Sequence, residues 1–338
     1  MLKVLNDIHI GALRSGGTTL TSQWELRQHL LRKFKAMLPA PEAASDLMLL
    51  GDLFDAVNVP VRDVLDTYLM LTAWCKANPA QTLYVVAGNH DLSKTSNVMS
   101  SFDFLCALLS HSGVSAVSIK EPTMTPHGYV IPHLPNQGLF DAAISNTPAC
   151  SVLYLHCNFD NNFAAQSDQS LNLSKEQVAT LPVAGIVIGH EHKSRRVGKV
   201  WIPGNQIASS VSDWIGQRVK MYASVQDGVV VLNPITEPTE FIEVDWQAAA
   251  NEPIEQKFIR ITGNADASQA TAVVSAISKL RQTSQAFVIT NAVSIASEDN
   301  ANAFESALDG VQSFSVLNAL REIFTIEEMT VLEGLINA

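Results

Sequence analysis

The feature that most limits what this chain can fold into is a junction that recurs along it: an apolar run that ends in Asp, Asn or His. Leu83-Tyr84-Val85-Val86-Ala87 reads as a buried strand and breaks at Gly88 into Asn89-His90-Asp91. The same arrangement recurs elsewhere. LKVLN (2–6) runs into Asp7-Ile8-His9, LMLLG (47–51) into Asp52 and Asp55, VLYL (152–155) into His156, and GIVIG (185–189) into His190-Glu191-His192. Taken singly, each junction could be a polar turn. Five in order, each closing an apolar strand, are not coincidence. In open α/β sheets a ligand site lies outside the carboxyl ends of the strands, so the pattern predicts one site fed by five strands.

The stretches between these strands carry helical spacing. Residues 22–37 place Trp24, Leu26, Leu30, Leu31 and Phe34 at helical intervals, with Pro39 and Pro41 ending the run. Further helices are expected near 61–76 and over 101–110. Strand alternating with helix at short spacing predicts an α/β layered fold. From 114 onward the pattern turns to short β segments, and the polar stretch 158–170 reads as a long loop at the mouth of the site. Strands are expected at 200–202, 219–225 and 229–232. A Pro-bearing stretch at 233–253 predicts a boundary between domains 1–245 and 254–338. The second carries a strand (257–262), a helix (268–281), a strand (285–290) and two short helices near 315–323 and 326–336. Over 251–338 there are 11 Asp/Glu against 5 Lys/Arg.

Composition enters as a bound. With 338 residues and 47% hydrophobic side chains the chain can bury a large core. A net charge of −11 counts against a free-standing duplex-binding protein, but not against an enzyme whose bound cations offset local charge. No apolar run reaches the ~18 residues that span a bilayer, and no membrane partner is expected. The first strand starts at Leu2, so no signal peptide and a cytoplasmic location are the expectation. Cys75, Cys106, Cys150 and Cys157 form no CxxC pair; reduced, mostly buried thiols are expected, with Cys157 turned to the core.

The donor types then suggest the chemistry. Asp7 and His9 are two apart at a strand end, as are His190 and His192, so each pair can reach one cation. Asp52 supplies a carboxylate able to bridge two metals, Asn89 a neutral oxygen and His156 a further nitrogen. Seven N and O donors exceed what one tetrahedral zinc uses. Without a thiolate they suit two divalent ions such as Mn²⁺, Fe²⁺ or Zn²⁺, and such a pair ~3.5–4 Å apart clamps a phosphate ester. His90 is the expected general acid, with Asp91 holding its tautomer. His29, His111, His127 and His133 fall outside the pattern and read as surface or structural. Lys193, Arg195, Arg196 and Lys199 crowd behind the last ligands as candidate phosphate contacts.

Asp7-x-His9, Gly51-Asp52-x-x-Asp55, Gly88-Asn89-His90-Asp91, His156 and Gly189-His190-x-His192 resemble, in order, the five motifs of the calcineurin-like metallophosphoesterases. The resemblance implies an α/β fold in which a two-sheet β-sandwich is flanked by helices, followed here by a small C-terminal β-α-β capping domain. It implies that Asp7, His9 and His192 bind one metal, that Asn89, His156 and His190 bind the other, and that Asp52 bridges. Within the superfamily the chain looks like the SbcD-type DNA-repair nuclease subunits and their tailed-phage relatives. The opening MLKVLNDIHIG, GDLFD ahead of GNHD, VWIPGNQIASS at 200–210 and the C-terminal unit carry that likeness. It implies an exo- and endonuclease acting on DNA, with two divalent ions (Mn²⁺ first, Fe²⁺, Zn²⁺ or Mg²⁺ otherwise). It also implies a homodimer, for which the helix at 24–37 is a candidate surface. An SbcC-like SMC-type ATPase would be its partner, docked on the last two helices. A small-molecule or cyclic-nucleotide phosphodiesterase or phosphatase of the same fold is the alternative. A catalytically dead scaffold is a third reading, and the full ligand set speaks against it.

Overall fold

The computed structural model describes residues 1–13, 20–93, 95, 98–161, 170–249 and 254–296. The two helices expected near 315–323 and 326–336, and most of the loop expected at 158–170, lie outside them.

The chain opens with β1 (Leu2–Leu5), α1 (Leu20–Met37), β2 (Asp46–Leu50), α2 (Val61–Ala77), β3 (Leu83–Val86), α3 (Ser101–His111) and β4 (Ala116–Ile119). These four strands run parallel and adjacent in the order β1-β2-β3-β4. A second sheet then forms from β5 (Thr123–Thr125), β6 (Gly128–Ile131), α4 (Gln137–Ser145), β7 (Cys150–His156), α5 (Lys175–Thr180), β10 (Val183–Gly189), β11 (Arg195–Val197) and β12 (Val200–Ile202). Its order is β11-β12-β10-β7-β6-β5, with β12, β10, β7 and β6 parallel. The short pair β8 (Asn158–Phe159) and β9 (Asn172–Leu173) brackets the long loop. The chain returns to the first sheet with β13 (Met221–Gln226) and β14 (Val229–Pro234), which pair antiparallel on the far side of β1.

Burial explains why these strands read as apolar runs rather than alternating ones: both of their faces are covered. Between the sheets lie Leu2, Val4, Met48, Leu50, Tyr84 and Val86 from one side and Val130, Val152, Tyr154 and Val187 from the other. The outer face of the first sheet (Leu5, Leu47, Leu49, Leu83, Val85) packs on α1, α2 and α3 through Leu30, Phe34, Leu71 and Phe102. The outer face of the second packs on Phe140 and Ile144 of α4. The expected two-sheet sandwich flanked by helices is the observed architecture, and Cys157 points into the second core as expected.

Residues 241–296 form a smaller unit: β15 (Phe241–Asp245), α6 (Trp246–Ala249), β16 (Phe258–Thr262), β17 (Asn264–Asp266), α7 (Ala270–Thr283), β18 (Val288–Asn291) and β19 (Ser294–Ala296). β15, β16 and β18 make a parallel sheet whose core holds Trp246, Ile259, Ile261, Ile277 and Leu280. The β-α-β order matches expectation, but β15 precedes it and pairs in register with β16, Phe241 against Phe258. The boundary expected between 245 and 254 therefore runs through a sheet. Sequence periodicity does not show which distant strand another one pairs with.

Candidate metal centre

The carboxyl ends of β1, β2 and β3 from one sheet, and of β7 and β10 from the other, meet at one edge of the sandwich. The loop after β1 is zipped to the loop after β2: Asp7 N donates to Gly51 O (3.1 Å), His9 N to Asp52 O (3.1 Å) and Ile10 N to Leu53 O (2.9 Å). At these ends the backbone turns sharply. Asp7, His9, Asp52 and His190 all adopt left-handed conformations, with φ of 53°, 52°, 49° and 87°. Each costs about 1 kcal/mol or more in a non-glycine residue, and such strain gathers where a site over-determines it. Gly51 and Gly88 make the approach possible. A Cβ at Gly51 would lie 2.0 Å from His156 Nδ1, and one at Gly88 2.2 Å from Asp52 Oδ1.

Two donor groups result. One ligand atom from each of Asp7, His9 and His192 lies within 4.8 Å of the others, and the same holds for Asp52, His156 and His190. His9 Nε2 and His192 Nε2 face each other at 3.1 Å. His156 Nε2 lies 3.0 Å from Asn89 Oδ1 and 3.3 Å from Asp52 Oδ2. All seven residues expected as ligands are therefore brought to one place, with Asp52 in the second group. The residues also fit a metal. Among the described residues Asp7 Oδ1 is buried without a hydrogen-bond partner, a costly state for a carboxylate oxygen unless a cation meets it. Two imidazole nitrogens aimed at one another likewise ask for a shared cation.

The electrostatics make the same demand. Burial opposes protonation of His9 and His156, yet nearby carboxylates push both up to about 9: Asp55, Asp52 and Asp7 for His9, and Asp52 and Asp7 for His156. Asp52 is held well below the usual carboxylate range, because His156, His9 and His90 outweigh its burial. His190, buried beside His156, falls to about 4. The site calls for positive charge at its centre, which divalent cations would provide.

His90 N donates to Asp52 Oδ1 (2.9 Å), and His90 Nδ1 lies 2.6 Å from Asp55 O. The ring proton therefore sits on Nδ1, and Nε2 is the nitrogen available to exchange a proton. This corrects the expectation for Asp91, which does not hold His90. The Asp91 carboxylate is fully buried and accepts from Gly88 N (2.9 Å), Phe54 N (3.2 Å) and Leu53 N (3.4 Å). Burial and the Asp52 charge push it up to about 7. Asp91 ties the β3 loop to the β2 loop; adjacency in sequence was a poor guide to its partner.

Several residues of the site have no role that the sequence displays, Asp55 among them although it lies within a motif. The Asp55 side chain lies 3.3 Å from His9 Nδ1 while its carbonyl fixes His90. Asp213 Oδ1 lies 2.7 Å from His192 Nδ1. Asn6 donates through Nδ2 to Asp7 Oδ2. His133, expected at the surface or in a structural role, lines a cleft of ≈ 1450 Å³ together with Asn89, His90, Gln137, Asn172 and Gln177. The other three outlying histidines behave as expected: His29 meets Glu240, His127 meets Asp46, and His111 is exposed. Of the four cations behind the last ligands, Arg195 is engaged by Glu191 and Phe159 O, and Lys199 by Leu181 O and Val183 O. Arg196 is exposed but lies over the Trp201 ring (4.5 Å) and donates to Gly198 O (3.3 Å), and Lys193 is exposed at the surface.

Residues 2–194 match the family described as calcineurin-like phosphoesterase. No curated protein matches the chain. Among the described residues no helix is long and apolar enough to cross a membrane.

Proposed function

The chain belongs to the calcineurin-like phosphoesterase family, metal-dependent phosphoester hydrolases, and on that premise we propose that it is a DNA phosphodiesterase, an exo- and endonuclease of DNA-end processing. The observation that carries the reading is the convergence of Asp7, His9, Asp52, Asn89, His156, His190 and His192 beside His90, at the mouth of an open cleft. Asp7, His9 and His192 would hold one cation and Asn89, His156 and His190 the other, with Asp52 between them. Two divalent ions, Mn²⁺ first among the candidates, would supply Lewis-acid stabilisation of a phosphoryl group. His90, fixed through Nδ1 by Asp55 O, would in its doubly protonated form give the Nε2 proton to the leaving oxygen, which departs as the alcohol. Its backbone N–H holds Asp52 in place.

DNA as substrate rests on the likeness of the motif set and of residues 200–210 to SbcD-type nucleases. The exposed Lys193 and Arg196 beside the last ligands add support as phosphate contacts. The same likeness extends the proposal to a homodimer that works with an SbcC-like SMC-type ATPase. A neighbouring gene for a long coiled-coil ATPase is the observation that would bear on that partner. A second reading, a small-molecule or cyclic-nucleotide phosphodiesterase, is favoured by the cleft itself. Its described walls include His133, Asn136, Gln137, Asp141, Asn172 and Gln177, and no Lys or Arg.

Purified protein with Mn²⁺, offered linear duplex DNA, single-stranded DNA and a cyclic nucleotide in parallel, separates the two. Release of nucleotides from DNA ends, abolished by a chelator and restored by Mn²⁺, supports the nuclease. Hydrolysis of the cyclic nucleotide with DNA left intact sinks it in favour of the second reading.

A further inference from the structure

Residues 204–220 lie beyond the part of the chain that matches the family, and they adopt no regular strand or helix. Yet they hold several of the most buried polar side chains in the molecule: Asn205, Gln206, Ser209, Asp213 and Lys220 are each 5% exposed or less. Burying an ammonium, a carboxylate and two amides in one irregular segment is costly unless each is fully engaged. Their partners lead to one side of the metal centre.

Asp213 Oδ2 accepts from Ser209 N and Ser210 N, both at 2.9 Å. That leaves Oδ1 for His192 Nδ1 at 2.7 Å. An acceptor there places the ring proton on Nδ1 and leaves the Nε2 lone pair aimed at the position that His192 shares with His9, 3.1 Å away. A second line runs through Gln206. Its Oε1 accepts from Asn6 N (2.7 Å), and its Nε2 donates to Asn6 Oδ1 (3.2 Å), Gly204 O (2.7 Å) and Met221 O (2.9 Å). Asn6 in turn donates to Gly204 O (3.0 Å) and to Asp7 Oδ2. Lys220 Nζ ties Asp213 to Asn205, the residue before Gln206, donating to Asn205 Oδ1 (2.7 Å) and Asp213 O (2.6 Å). The other donor group is held chiefly from elsewhere: His156 Nδ1 lies 3.0 Å from Leu50 O, at the end of β2. One bond crosses between the groups, from His190 N to Asp7 Oδ2 (2.9 Å), so the Asn6 line reaches both while the Asp213 line ends on His192.

We propose that residues 204–220 are a positioning element for the Asp7/His9/His192 metal position above all, with Asp213 setting the tautomer and direction of His192 and Gln206 fixing Asp7 through Asn6. The inference rests on the metal-centre reading above. It adds that the two metal positions depend on different parts of the chain and can be weakened separately. Asp213 and Gln206 are positioning residues; neither need touch substrate.

The test is Mn²⁺ titration of the full chain by calorimetry, with bound metal counted by elemental analysis. Asp213→Asn keeps the shape but offers only one carbonyl oxygen, which cannot serve both Ser209/Ser210 and His192. Gln206→Met removes the tie to Asn6 without adding charge. Wild type is expected to bind two ions. Asp213→Asn is expected to keep one at wild-type affinity and bind the other about 10–100-fold more weakly, and Gln206→Met to weaken that same position well beyond any effect on its neighbour, while Asp227→Asn, an exposed turn acid, leaves both unchanged. Circular dichroism and melting establish that the variants are folded; should Asp213→Asn not fold, Gln206→Met carries the test. Folded variants that bind both ions as wild type does, even with a lower melting temperature, would overturn the proposal, as would equal weakening of both positions. A wild type that binds no Mn²⁺ would overturn the metal-centre reading as well.

Discussion

His90 and Asp91 are neighbours in the chain and part company in the fold. His90 is half-buried on the cleft wall with Nδ1 anchored, whereas Asp91 is enclosed among backbone amides. Their substitutions should therefore fail in different ways. His90→Ala is expected to lower kcat by about 10²–10⁴-fold, the usual range for a lost general acid, with metal content and melting temperature close to wild type. Steady-state kinetics beside elemental analysis checks this, and a variant that loses metal would make His90 a ligand rather than an acid. Asp91→Ala strands the amides of Gly88 and Phe54 in the core, at about 1–3 kcal/mol each. It is expected to cut stability by about 2–4 kcal/mol in urea unfolding before any effect on chemistry is read. The sequence displayed these residue types plainly, since strand ends rich in Asp, Asn and His are rare. It could not display that the carbonyl of Asp55 would lie across from His90, because that contact is made by a loop from another strand.

At the level of elements, the strands were legible for a physical reason. Each is buried on both faces, so it appears as a short unbroken apolar run, and the polar residue that follows marks its carboxyl end. What was not legible is how closely those ends approach. Gly51 sits at φ 84°, with its missing Cβ filled by the His156 ring. Gly51→Ala has to displace that ring and strain the backbone. The expected result is a loss of about 2–3 kcal/mol or more in stability, together with weaker binding at the Asp52/His156/His190 position. Melting curves with and without Mn²⁺ measure both, and a variant as stable as wild type in each would show that the edge of the sandwich is looser than the contact implies. The segment 204–220 was illegible for the opposite reason. It has no apolar period, and although its first residues share in the likeness carried by 200–210, the contacts it makes are long-range hydrogen bonds that no local pattern displays.

Across the whole molecule, the C-terminal sheet is fastened to the sandwich in two ways. Phe241, Phe258 and Phe287 extend the core that carries α1 and α2, with Phe258 set against Trp214 and Phe287 against His29. Beside them, Glu240 meets His29 Nε2 (3.0 Å) and Lys33 Nζ (3.2 Å), while Glu237 also pairs with Lys33. Burial raises the Glu240 carboxyl, but His29 and Lys33 outweigh it and hold its pKa below the usual 4.5. A carboxylate whose folded pKa is depressed contributes stability that is present above its unfolded pKa and is lost as pH falls through the folded one. The tie is thus intact at pH 7 and fades below about pH 4.5. Glu240→Gln is expected to lower stability by about 1 kcal/mol at pH 7, as for a partly exposed ion-pair network, and the difference from wild type should be smaller in acid, once the pH has fallen through the depressed folded pKa, than at pH 7. Urea unfolding at pH 7 and in acid reads it directly. A difference that persists undiminished in acid would mean that Glu240 acts through packing or neutral hydrogen bonding rather than through its charge.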